Sequence, residues 1–374
     1  MGTIEQLRGS TVSPRRMLVA QISSSIVALL SVTALAQSQA VGIGSRDRTQ
    51  PDHNSVEASG QPFWQPPADV QEIAYDATAS FLQWPADVHP GEIAGVARNS
   101  KGSFFIYSRG DRTQLFEFSS GGGFLREIGK GLYGFDFGHS VRVDRDDNIW
   151  AVDEGSNMVI KFDPQGRVVM TLGRKWERVV GRPPNPEPDA PPPAARPNAF
   201  GRPTDVTWDT EGNIFVADGH NNSRIAKFSR DGSWMKSWGR RGSGPGEFNL
   251  PHTIASDSKG KIYVGDYMNS RIQVFDSDGH YLSVVTGVGH PGAICITPPP
   301  NELLFSGDGT GHFYKLDLNG KVLGWFGKWG KRVGEFNTIS KIHCQSDTEL
   351  YVGEIENWRV QRLTLKSPAT HPSR

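Results

Sequence analysis

The chain has 374 residues with 43 Gly and 25 Pro, and 36% of it is hydrophobic, enough for one large core or two modest ones and too much for a chain disordered throughout. Lys plus Arg and Asp plus Glu both number 40, so the formal net charge is +0. Without a basic surplus, neither nucleic acid nor an acidic membrane surface is an expected partner.

In chain order, the first element is a targeting segment. Arg15 and Arg16 precede MLVAQISSSIVALLSVTALA, which ends in Ala34-Leu35-Ala36. A charged start, an apolar run and small residues at a cleavage point predict a removable signal peptide over residues 1–36, and the paired arginines also fit a twin-arginine signal. Gln21 and Ser23 to Ser25 interrupt the run, which argues against a retained span. The expectation is a secreted or periplasmic protein with no membrane span in the mature chain. Residues 37–70, rich in Gln, Ser, Pro and Gly, read as a flexible leader.

From about residue 71 to 366 one pattern recurs six times. PTDVTWDTEGNIFVADGHNNSRIAKFSRDG and PHTIASDSKGKIYVGDYMNSRIQVFDSDG are its clearest copies. Each contains period-2 apolar runs such as IFVAD, RIAKF and RIQVF between Gly, Asp and Asn turns, which predicts a small antiparallel meander. A following segment such as WMKSWG supplies a fourth strand, and four strands at a period of roughly 40–50 residues define a propeller blade. The sixth copy stops after three strands. A strand around Ala79 to Trp84 (ASFLQW) is expected to complete it and close the ring, since an open edge is a liability. The fold class is therefore all-β: a six-bladed β-propeller, its ring closed by an N-terminal strand. Residues 181–202 are a Pro-rich inserted loop, because proline cannot donate to a ladder, and residues 367–374 form a tail. Cys295 and Cys344 lie in separate apolar strands and read as two buried thiols, with a single bridge as the alternative.

Antiparallel neighbours bring the openings of the first strands (Ala94, His139, Thr204, His252, Gly292, Ser340) to the same end as the loops after the second strands. Those loops carry Arg109, Glu154, His220, Tyr267, Asp308 and Glu354. With the first strand innermost, His139 and His252 face a central channel, two ligands toward a metal site that commonly uses three. His220 suits an acid, a base or a ligand. Arg109 suits a carboxylate, or else an ion pair with Asp111. The repeated sets Asp218-Asn222-Arg224, Asp266-Asn269-Arg271 and Glu354-Asn357-Arg359 read as turn and inter-blade bonding.

FGHSVRVD, GRPTDVTWDTEGNIFVADGHNNSRIAKFS, GPGEFNLPHTIA and GDYMNSRIQVF resemble the NHL-repeat propellers, and among them the peptidyl-α-hydroxyglycine α-amidating lyases, from about residue 90 to 365. The resemblance implies cleavage of the N–Cα bond of a peptidyl-α-hydroxyglycine to an amide and glyoxylate, beside a zinc on three histidines and a structural calcium. It places two zinc ligands on His139 and His252, calcium-binding carbonyls on Val96 and Val141, and a carboxylate-binding arginine on Arg109. It also shows departures. The third zinc histidine falls on Ser340 and the acidic calcium ligand on Lys341; the loop tyrosine proposed as base is His220, and a second arginine is Tyr267. An ammonium at position 341 would repel calcium and stand in its place. His220 is the first replacement ligand to consider, and His290, two residues before Gly292, the second; His343 should face away. The function implied is a lyase-like enzyme on a small carboxylate-bearing or peptide-like substrate, expected to act as a monomer. The alternative is a non-catalytic propeller that binds a peptide, protein or glycan, and a calcium-dependent gluconolactonase-like hydrolase ranks third because the strand openings carry no carboxylate.

Overall fold

The computed structural model describes residues 69–175 and 196–366, so the signal segment, nearly all of the leader, most of the Pro-rich insertion and the tail lie outside the described residues. Within them there are six four-stranded antiparallel sheets. Blade one, for example, runs Glu92–Arg98, Phe104–Arg109, Thr113–Phe118 and Phe124–Ile128, each strand paired with the next. The innermost strands neighbour one another around the ring, and that of blade one meets that of blade six, Ile339–Cys344. No helix among the described residues is long and apolar enough to cross a membrane.

The outermost strand of blade six is Tyr75–Thr78, which pairs antiparallel with Arg359–Leu365 from Tyr75 opposite Leu365 to Thr78 opposite Arg362. This corrects the expectation that ASFLQW fills that place. Leu82 is instead buried in the blade-one core against Phe104, Phe116 and Phe118, with Phe81 and Trp84 beside it, and Gln83 bridges to Gly123. The aromatic residues that made ASFLQW look like a strand are there to cover blade one.

Alternation along each strand becomes burial between blades. Ile214–Asp218 is buried throughout, whereas Tyr281–Val285, an outermost strand, exposes four of its five residues. Val152 and Val159 of blade two pack with Val206, Val216 and Phe228 of blade three, so each core fills the space between two sheets. Side chains such as Phe215 and Phe228 remove about 2–3 kcal/mol of apolar exposure each. The repeated acid–Asn–Arg sets are structural, as the sequence suggested. Asp266 accepts from the backbone of Asn249, from Asn269 Nδ2 and from Arg271 Nε, while Arg271 reaches the carbonyls of Ser243, Gly244 and Glu247.

Five of the six first strands, all but that of blade three, share one irregularity that positions the site. The ladder register shifts between Ile93 and Gly95, Gly138 and Ser140, Pro251 and Thr253, Pro291 and Ala293, and Ile339 and Lys341. The skipped residues are Ala94, His139, His252, Gly292 and Ser340. A bulge inserts one unpaired residue and re-aims its side chain, which is why His139 and His252 leave the blade surface and meet.

The two cysteines are bridged, contrary to the expectation of separate thiols. Cys295 and Cys344 sit on the innermost strands of blades five and six with Cα atoms 5.8 Å apart, a proximity that a separation of 49 residues conceals. A closed loop of that size restricts the unfolded chain by about 4 kcal/mol in the chain-entropy treatment. Replacing both cysteines by alanine should lower the unfolding free energy in urea by up to that amount; an unchanged midpoint would remove the bridge from the account of stability.

Candidate functional site

Three imidazoles meet at the end of the channel. His139 and His252 come from bulges in blades two and four, and His220 from the loop after the second strand of blade three. One ligand nitrogen from each lies within 4.8 Å of the others, the one group of three or more metal-binding side chains among the described residues. His139 Nδ1 is 2.6 Å from the Thr204 carbonyl and His252 Nδ1 is 2.7 Å from the Gly292 carbonyl. A carbonyl accepts only from N–H, so both rings carry their proton on Nδ1 and present an unprotonated Nε2. Burial, with Lys341 and the neighbouring imidazoles, holds His139 and His252 well below the usual histidine pKa, so both are neutral at pH 7.

His220 Nε2 is 3.3 Å from His139 Nε2. Two nitrogens each about 2.0–2.1 Å from one tetrahedral ion stand about 3.3–3.4 Å apart, so the His139–His220 pair has the spacing of two zinc ligands, and His252, within 4.8 Å, is the third residue that would hold the ion. His220 is also 3.0 Å from Glu154 Oε2, and Glu154 Oε1 lies 3.0 Å from Arg202 Nη2 and 3.7 Å from Arg109 Nη1. Glu154 thus joins blades one, two and three beside the imidazoles.

His290 is not brought into this group. Its Nδ1 lies 2.9 Å from the Tyr267 carbonyl and 3.1 Å from Ser270 Oγ, and its ring packs at a tilt against that of Tyr267. The Tyr267 ring lies between His290 and His252, with centroids 5.3 and 5.4 Å away, and supports the His252 ring. Ser340 donates to the Gly353 carbonyl at 2.9 Å within its own blade. His343 is buried, has its pKa pushed down to about 4 by burial, and lies outside the imidazole group. Arg109 pairs with Glu92 at 2.7 Å in place of the expected Asp111, donates to the Gly138 carbonyl at 3.2 Å and covers the Phe137 ring at 4.0 Å.

Deeper in the channel is a cluster that the sequence did not reveal. Asp205 is fully buried and accepts both edges of the Arg142 guanidinium, at 2.9 and 2.6 Å. It also accepts from Ser140 Oγ at 2.7 Å, Thr253 Oγ1 at 2.9 Å and the Val206 and Ile254 backbone at 3.0 and 3.2 Å. Arg142 continues to the carbonyls of Ile294 and Ile342. Lys341 Nζ is wholly buried, 4.0 Å from Asp205, with no hydrogen-bond partner among the described residues. Burial raises the Asp205 carboxyl, but Arg142, Lys341 and the donors outweigh it and the net shift is downward. Lys341 is pushed down to about 8 by burial, against the pull of Asp205. The signals available were the charged Arg142 inside the apolar strand GHSVRV and Asp205 directly after a channel-facing opening.

Calcium does not fit here. Val96 and Val141 lie on innermost strands so close that a Cβ on Gly95 would be 2.6 Å from the Val141 nitrogen. The charges beside them are two cations and one anion, and the single carboxylate is already filled with donors. A calcium ion needs six to eight oxygens and several negative charges. The channel therefore does hold one carboxylate, Asp205, but one committed to Arg142.

The fold and this site define the class: the chain belongs to the six-bladed β-propellers. A family described as a 6-bladed beta-propeller matches residues 198–309. Peptidyl-glycine alpha-amidating monooxygenase of Mus musculus is 31% identical over 359 residues, covering 83% of this chain and 34% of its own. Peptidyl-alpha-hydroxyglycine alpha-amidating lyase 1 of Drosophila melanogaster is 26% identical over 62% of this chain and 45% of its own, and NHL repeat-containing protein 3 of Mus musculus 30% over 60% and 65%. The chain spans about a third of the length of the amidating monooxygenases it matches. The structure of a gluconolactonase from Xanthomonas campestris superposes with a TM-score of 0.55 at 15% identity, covering 80% of this chain and 96% of that one, a likeness of fold alone.

Two outcomes are expected of the buried cluster. Calcium or a calcium chelator should leave the melting temperature unchanged, whereas Arg142→Met should cost about 3–5 kcal/mol by stranding the Asp205 charge. Because folding lowers Lys341 from 10.5 to about 8, the unfolded chain binds more protons at this residue between those values. Its penalty on stability is full below pH 8 and relaxes as pH rises toward 10.5. Urea titrations should show any advantage of Lys341→Met shrinking across that window; a difference flat in pH would contradict a depressed ammonium.

Proposed function

We propose that this protein is an amidating-lyase-like enzyme that cleaves an N-acyl-α-hydroxyglycine-type substrate to an amide and glyoxylate. The observation that carries the reading is the three-imidazole group, in which His220 takes the role that Ser340 cannot fill. The similarity to proteins named as amidating lyases supports it.

In the reaction the substrate hydroxyl gives up its proton, its oxygen becomes the carbonyl oxygen of glyoxylate, and the electron pair of the N–Cα bond passes to nitrogen, which takes a proton. A zinc ion on His139, His220 and His252 would supply Lewis acidity toward the hydroxyl. The carbonyls of Thr204 and Gly292 hold two of the rings with Nε2 forward, so little reorganisation is needed. Glu154 Oε2, 3.0 Å from His220 Nε2, is the carboxylate placed to hold the hydroxyl proton and return it to the leaving nitrogen. Arg109 and Arg202, both on Glu154, place positive charge where the substrate carboxylate must sit. Tyr267 acts through His252, as a positioning residue. Export from the cytoplasm as a monomer remains part of the proposal.

Metal analysis of the mature protein should find about one zinc per chain. Glyoxylate should be released from α-hydroxyhippurate by the wild type, and His252→Ala should lose both metal and more than about 100-fold in rate. Metal-free protein with no glyoxylate would favour the non-catalytic propeller, the reading that the match to NHL repeat-containing protein 3 also permits.

A further inference from the structure

Glu154 has only 3% of its side chain exposed, yet it faces two guanidinium groups, and those two are not equally committed. Arg109 is 15% exposed; its Nε is taken by Glu92, its Nη1 by the Gly138 carbonyl, and its face by the Phe137 ring. It holds the blade-one loop against the residue preceding His139. Arg202 is 38% exposed, and among the described residues its guanidinium makes one hydrogen bond, from Nη2 to Glu154 Oε1.

Glu154 also shows what fits between Arg202 and the imidazoles. One carboxylate oxygen lies 3.0 Å from Arg202 Nη2 and the other 3.0 Å from His220 Nε2. Arg202 therefore lies within one carboxylate of the imidazole group, close enough for a substrate carboxylate on its guanidinium to leave the adjacent hydroxyl beside the imidazoles. The backbone aims Arg202 there. Its amide donates to Asn157 Oδ1 at 2.7 Å, and its carbonyl accepts from His220 N–H at 3.3 Å. Its φ of +61° recurs at Leu250 (+66°) and Thr338 (+46°), so the backbone shape belongs to the repeat and only the guanidinium is peculiar to blade three.

We propose that Arg202, rather than Arg109, is the specificity-determining residue that receives the substrate carboxylate, on the guanidinium donors that Glu154 does not use. The assignment rests on the lyase reading for the identity of the substrate, but on this chain's geometry for the choice of arginine.

The test uses binding, which does not depend on turnover. N-benzoylglycine and its neutral amide are titrated calorimetrically into the zinc-loaded wild type, Arg202→Met, Arg202→Lys and Arg109→Met, with circular dichroism to verify the fold of each. Losing a charge-assisted pair should weaken N-benzoylglycine about 10- to 100-fold in Arg202→Met and leave the amide unchanged. Arg202→Lys should recover part of the loss, since it keeps the charge without the planar fork. Arg109→Met should chiefly lower the melting temperature. Equal binding of N-benzoylglycine by wild type and Arg202→Met, or a carboxylate-specific loss confined to Arg109→Met, overturns the assignment, as does a wild type that binds neither ligand. Arg202-dependent binding without glyoxylate release from α-hydroxyhippurate supports the assignment and overturns the lyase reading instead.

Discussion

A single buried carboxylate ties the propeller together at its axis. Asp205 of blade three takes donors from Ser140 and Arg142 of blade two and from Thr253 and Ile254 of blade four, and Arg142 extends to carbonyls of blades five and six. The sheets of blades two to six thus share one charged centre, and blade one joins them through Arg109 on Glu154. With all six of its donors in place, the carboxylate stays ionised in a site from which water is excluded, and removing any one blade's contribution would leave a buried charge underserved.

The candidate site stands on that centre. Ser140 follows His139 in the chain and Thr253 follows His252, so the residues that bind Asp205 are the immediate neighbours of two imidazoles. The bulges turn the histidines into the channel while the next residues hold the strands at fixed spacing. Lys341 belongs to the same layer and adds a positive charge beneath the imidazoles, which helps to keep them neutral and able to ligate. Ser340 and Lys341 of blade six both border this layer, the first bonded to the Gly353 carbonyl of its own blade and the second to no hydrogen-bond partner among the described residues.

The upper layer follows a different logic. Glu154 sits where Arg109, Arg202 and His220 converge, and it balances two arginines that would repel each other in its absence.

The blades were legible in the sequence because alternation of apolar residues and Gly/Asp turns are local signals, each set within about ten residues. The same locality explains the placing of His139 and His252 at strand openings and the reading of the Asp-Asn-Arg sets as structural. Three matters were decided only in three dimensions. Tyr75–Thr78 and not ASFLQW pairs with the last strand; YDAT is the less apolar of the two, and only its register against Arg359–Leu365 reveals it. Cys295 and Cys344 meet because adjacent innermost strands place them side by side. Asp205 and Arg142, 63 residues apart, and Arg202 and Glu154, 48 apart, find each other only when neighbouring blades close on the axis. Strand period and turn chemistry are properties of the chain, and the sequence by itself determined six blades and two channel histidines. Partnership among charges depends on how separate blades are brought together, which only the closed ring decides.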